Sequence, residues 1–186
     1  MKKASMPPSY CILEHKHRYS SWAASRAAST ITCRFNVRTG KKIIEATELH
    51  LLLADPGLLP SPVEIDDVHR QWCKAAMQAA VEHDLRGFGH GVAAKLINVY
   101  LKGAFVCGGH ESHENVEALH PPIDSLLLEE LYIHNVGGLQ VTWDTARKLR
   151  WSNFDSEQYQ AVIEGVRLAM AGKPLWQVEA HWRGFQ

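Results

Sequence analysis

No run of apolar residues approaches the ~20 that a helix needs to cross a bilayer, so no membrane partner is expected. The opening MKKASMPPSY carries lysines but no apolar stretch behind them, and reads as a lead-in without a secretory signal. Cysteine is scarce and dispersed: Cys11, Cys33, Cys73 and Cys107 form no C-x-x-C pair. That spacing fits reduced thiols in a cytoplasm better than a zinc ribbon or a disulfide frame. Repeats and low-complexity tracts are absent, and strand-like alternation is nearly so. Net charge is zero, which removes the simplest signature of a polyanion binder.

The distribution of charge is less neutral than its total. Residues 1–44 hold nine Lys/Arg and one Glu, a local balance of +8, whereas 45–139 balance to −9. Asymmetry of this kind can mark one face for a polyanion or simply solvate it. The length, 186 residues, allows one domain that buries about 70% of its unfolded surface. Helical periodicity dominates. An Ala-rich helix is expected over Tyr19–Thr30, and a half-buried one over Lys42–Ala54. A long amphipathic helix is expected over Glu64–His83, carrying Ile65, Val68, Trp72 and Ala76 on one side. Arg34–Arg38 reads as a helix continuation or a short strand, and Asp55–Pro62 as a loop. Near the end, Asp155 with Gln158 makes a capping-box start for a helix whose apolar face carries Tyr159, Val162, Ile163 and Val166. Pro174–Trp182 closes the chain as a last helix. The fold expected is mostly α.

The stretch from Asp84 to Glu130 is the most informative. Gly87, Gly89 and Gly91 alternate ahead of the apolar-periodic Val92, Leu96 and Val99. Glycines at a helix start leave its first N–H groups accessible, a cradle for phosphate. Further on, Pro121-Pro122-Ile123 stiffens the chain and delivers Asp124 to the cap position of a helix over Leu126–Leu131. Capping alone would justify an aspartate there. A carboxylate held in this way could also stabilise an oxocarbenium-like sugar or orient a nucleophile.

Helix, Gly87-Phe88-Gly89, helix, then Pro122-Ile123-Asp124 resembles the helix-hairpin-helix DNA glycosylases, and Ala94–Lys102 is similar to the lysine-bearing helix of archaeal 8-oxoguanine glycosylases. The resemblance covers about residues 84–130. It implies a two-lobed helical domain, with the helix-hairpin-helix and catalytic segment at 84–134, lobes at 15–83 and 135–186, and a cleft between them. It implies a cofactor-free monomer that flips a modified base out of double-stranded DNA and excises it, in repair or antiphage defence. Gly87, Phe88, Gly89, His90 and Gly91 would hold the DNA strand. Asp124 would drive excision. Matching the hairpin puts Gly91 where bifunctional members carry lysine, which implies a water nucleophile; matching the helix gives Lys95 the nucleophile's place, with associated AP-lyase action.

Base flipping needs a pocket lined by aromatic and polar groups. His120, Trp143 and Trp151 are the candidates for it, and Arg147, Lys148 and Arg150 for phosphate contact. Trp22, Trp72 and Trp176 fall at apolar helical offsets and read as packing. His110, His113 and Glu114 lack the helical frame of an ordered metal site, so no metal is expected. The reading from a different class is a helix-hairpin-helix module that binds DNA or a protein without chemistry.

Overall fold

A computed structural model describes residues 10–184. Among them there is no β-strand. The Lys2 and Lys3 part of the basic amino-terminal segment lies outside the described residues. Eight α-helices run in the order α1 (Ile12–Ala28), α2 (Val37–Ala46), α3 (Ile65–Glu82), α4 (His90–Leu101), α5 (Glu114–Glu117), α6 (Ser125–Ile133), α7 (Gln140–Leu149) and α8 (Ser156–Met170). A closing 3-10 turn spans Leu175–His181. All four cysteines are free, with Cys33 and Cys73 buried.

α4 is the axis of the molecule. Eleven of its twelve residues are buried, Val99 being the exception, so it has no solvent face to speak of. A helix buried on all sides belongs in a core, here with His90, Lys95 and Asn98 as its buried polar residues, and α1, α2, α3 and α8 pack around this one. It continues as a π-helical stretch over Lys102–His110 that breaks at Gly109, φ 86°. Together His90–His110 is long and apolar enough to cross a bilayer, unlike the expectation from unbroken apolar runs, but most of its apolar stretch is buried inside the protein. The apolar core forms one contiguous cluster from Ala24 to Val178.

Several helix boundaries follow local chemistry. Asn36 caps α2 by accepting the Thr39 N–H. Asp155 and Gln158 make the reciprocal capping box of α8, as expected. Asp124 caps α6, its Oδ1 accepting the Leu127 N–H at 2.9 Å. The helix expected over Lys42–Ala54 is instead two pieces. Glu48 adopts the left-handed conformation, φ 61°, so α2 ends at Ala46 and a 3-10 turn takes over at Leu49–Leu52. Arg34–Asn36 is neither helix nor strand, but the link into α2. Between the end of the π-helical stretch at His110 and the start of α5 at Glu114 only Glu111–His113 is non-helical.

Candidate active site

Two residues singled out by sequence meet in space. Lys95 lies on the second turn of α4 and Asp124 at the entry of α6; the Lys95 Nζ donates to Asp124 Oδ2 at 2.9 Å. The Lys95 side chain is 6% exposed and that of Asp124 18%, so the carboxylate stands at the edge of solvent and the amine behind it. Trp182 Nε1 donates to the same Oδ2 at 3.0 Å. The Trp151 ring lies 5.8 Å from Lys95 Nζ, in weak cation–π range. A second pair extends the row: Lys102 bonds Glu179 and sits 5.6 Å over the Trp182 ring.

The electrostatics of the pair run in opposing directions. Burial disfavours the Lys95 ammonium, while Asp124 and Glu179 favour it. Burial dominates, and the Lys95 amine is held below the usual lysine range. Glu179 is raised above the usual carboxylate range, again by burial, despite Lys102. A buried lysine with a depressed proton affinity is what an amine nucleophile requires.

The position of Asp124 is fixed by a polar network that no local signal announces. Asn98, one turn beyond Lys95 on α4, donates to the Pro121 carbonyl at 3.0 Å and to the Tyr159 hydroxyl at 2.8 Å. Its Oδ1 accepts from His69 Nε2 at 2.8 Å. Since the Tyr159 oxygen already accepts from Asn98, its proton goes to His120 Nδ1, 3.1 Å away. His120 Nε2 then carries the hydrogen donated to Asp66 Oδ1 at 2.7 Å. Arg167 and Gln160 complete the Asp66 carboxylate. The His69 ring stacks on Tyr159 with centroids 5.2 Å apart. Burial pushes His69 and His120 below the ordinary imidazole range, so both sit neutral in this network.

The glycine corner divides in two. Gly89 caps α4, and a Cβ there would meet nothing within 4 Å. Gly87 takes φ 76°, which favours glycine, and is exposed. Gly91 differs in its packing: a Cβ would fall 1.9 Å from the Trp151 carbonyl oxygen. Its N–H donates to the Phe154 carbonyl at 3.0 Å, as the Gly89 N–H does to the Gly87 carbonyl at 3.0 Å. Gly91 is a close-packing residue, and neither amide is left for a phosphate. Phe88 and His90 turn inward, 8% and 7% exposed. Phe88 packs on Phe35 and His90 on Tyr159.

The other candidates also separate. Trp151 is half-buried beside Lys95. Trp143 is wholly buried and donates its indole N–H to the Val136 carbonyl at 2.9 Å; it is core, because no ring can stack on it without unpacking α7 from α8. Trp22, by contrast, is 50% exposed rather than packed. His120 is interior and fully hydrogen-bonded, so it positions the Asp124 loop instead of lining an open pocket. Arg147 and Lys148 are matched by Asp144, and Arg147 also by Glu129. Arg150 is exposed at φ 66°. His113 caps α5 through the Asn115 N–H. Among the described residues no three potential metal ligands gather. No local signal in the sequence marks Trp182 and Glu179 for the site, because only the folded chain brings the closing turn back to α4.

The site is thus a lysine–carboxylate pair, bracketed by two tryptophans, on an all-helical scaffold. No known family model matches the chain, and no curated protein or solved structure matches it either.

Proposed function

We propose that the protein is a DNA glycosylase that extrudes a modified base and cleaves its N-glycosidic bond, with Lys95 as nucleophile and Asp124 as its carboxylate partner. The observation that carries this reading is the 2.9 Å contact between a buried lysine and a cap-held carboxylate at the solvent edge. Deprotonated Lys95 attacks the sugar C1′ as the C1′–N bond breaks, and the base leaves with a proton. Asp124 stabilises the positive charge on the sugar during that step. The remaining amine proton passes to O4′ as the C1′–O4′ bond opens and C1′=N forms, giving a Schiff base; loss of a C2′ proton to water then forms the C2′=C3′ bond and expels the 3′ phosphate, which nicks the strand.

The contact of Lys95 with Asp124 favours the lysine alternative. No side chain fits at position 91, whereas Lys95, one turn further, reaches Asp124. Trp151 and Trp182 are the aromatic surfaces beside the pair on which an extruded base could stack. A cleft between the segments 15–83 and 135–186, with Gly87–Gly89 gripping the strand, belongs to the same reading, as do a monomeric state and a role in repair or antiphage defence.

One observation favours a DNA-binding module without chemistry: Asp124 is already satisfied by Leu127, Lys95 and Trp182, as a purely structural carboxylate would be. The readings separate in one assay. Duplexes carrying 8-oxoguanine, and phage DNA with modified bases, are incubated with the protein and heated in alkali. Excision gives alkali-labile sites that fall by roughly 10²-fold or more in Asp124→Asn. If no substrate yields free base while duplex binding persists, the module reading stands and the enzyme reading does not.

A further inference from the structure

Much of the basic charge in residues 1–44 is unspent. Arg18 pairs with Glu14 and Lys41 with Glu45. Arg26, Arg34 and Arg38 are exposed and make no ion pair among the described residues. They line two adjoining cavities, of about 710 and 610 Å³, that share Arg26, Ser29, Phe35 and Asn36. Together these form one groove between the end of α1, the link 29–36 and the start of α2. No carboxylate lines either cavity.

Three like charges along one open groove without counter-charge sum to a positive field that attracts an anion. Guanidinium is always charged, weakly hydrated and shaped for two-pronged contact with phosphate oxygens. The charges are strung along an open groove and do not converge on a buried point, so a chain of phosphates fits better than a single one. The groove also abuts the glycine corner. A Cβ at Gly87 would lie 3.1 Å from the Thr32 carbonyl oxygen, and the Phe88 ring packs 5.7 Å from that of Phe35.

We infer that the Arg26–Arg34–Arg38 groove binds the phosphodiester backbone of a DNA strand that continues onto Gly87–Gly89. That the strand is DNA rests on the function proposed above; the groove's demand for a polyphosphate does not.

The test is fluorescence anisotropy of a short labelled duplex against a salt series, for wild type and for the triple variant R26Q/R34Q/R38Q. Three lost phosphate contacts flatten the log–log salt slope by about 2–3 and weaken binding on the order of 10²-fold at about 0.1 M salt. An unchanged melting temperature shows that the variant is folded; R26Q, R34Q and R38Q singly, each expected to lower the slope by about 1, serve if the triple variant is not. Wild-type slope and affinity in the variants would overturn the inference. So would a loss confined to an RNA duplex, or displacement of the DNA by inorganic phosphate at matched ionic strength. Base release on the same preparations keeps the two claims apart. Arginine-dependent binding without release upholds the groove and defeats excision, and release with an unaltered slope does the reverse.

Discussion

Asn98 donates its side-chain amide to the carbonyl of Pro121 at 3.0 Å, and thereby ties the helix that carries Lys95 to the segment that delivers Asp124. The same amide group serves Tyr159 and His69. Leucine at this position would fill a similar volume and satisfy none of the three. Each orphaned buried group costs about 1–3 kcal/mol, so Asn98→Leu is expected to lose on the order of 3 kcal/mol, or roughly 6–12 °C of melting temperature at this size. Thermal denaturation followed by circular dichroism measures it. A shift within about 2 °C would mean that the network does not hold the loop.

Gly91 and Gly89 make a paired experiment. Gly91→Ala drives a methyl into the Trp151 carbonyl and must displace the backbone at 151–154, at a cost of about 1–3 kcal/mol or more. Gly89→Ala adds a methyl to open space at φ −92° and changes only the cap, by less than about 1 kcal/mol. Denaturant unfolding of both variants should rank them in that order. Equal stabilities would refute the close packing of the α4 start against Trp151.

Stability should fall on mild acidification. His17, His69, His90 and His120 are buried, and burial holds each below its ordinary range. The unfolded chain therefore binds more protons than the folded one once pH drops below about 6.5. Their favourable contribution is whole above that value and declines as pH falls toward the folded-state values, by at most about 1.4 kcal/mol per group per pH unit. Asp66, depressed by His120 and Arg167 against the cost of its burial, adds to the loss below about pH 4. Glu179 titrates in the opposite sense, one group against four. Melting temperatures level between about pH 8 and 7 and dropping below about 6.5 are expected; a flat profile down to about pH 5 would contradict neutral buried imidazoles.

What could be read from the sequence was what is written locally. The Asp124 cap after Pro121-Pro122, the Asp155–Gln158 box and the long α3 are each set by residues within a turn or two. Lys95 and Asp124 could be chosen for their chemistry, although only the folded chain shows that they touch. The network around Asn98 was not legible. Its partners lie 23 to 61 positions away along the chain, and Tyr159 looked like one more apolar residue of α8. The tryptophans misled for a related reason: an indole suits a core and a surface equally, and periodicity alone exchanged Trp22 for Trp143. Left-handed Glu48 splits a helix that its flanking residues would have continued.

The most direct measurement is mass spectrometry of the protein after incubation with abasic or 8-oxoguanine duplex and sodium borohydride. A covalent adduct on the peptide bearing Lys95 is expected, absent in Lys95→Gln and forming faster as pH rises, with a midpoint below that of free lysine because burial lowers the amine. No adduct, or an adduct on another lysine that persists in Lys95→Gln, would contradict the assignment of Lys95 as nucleophile.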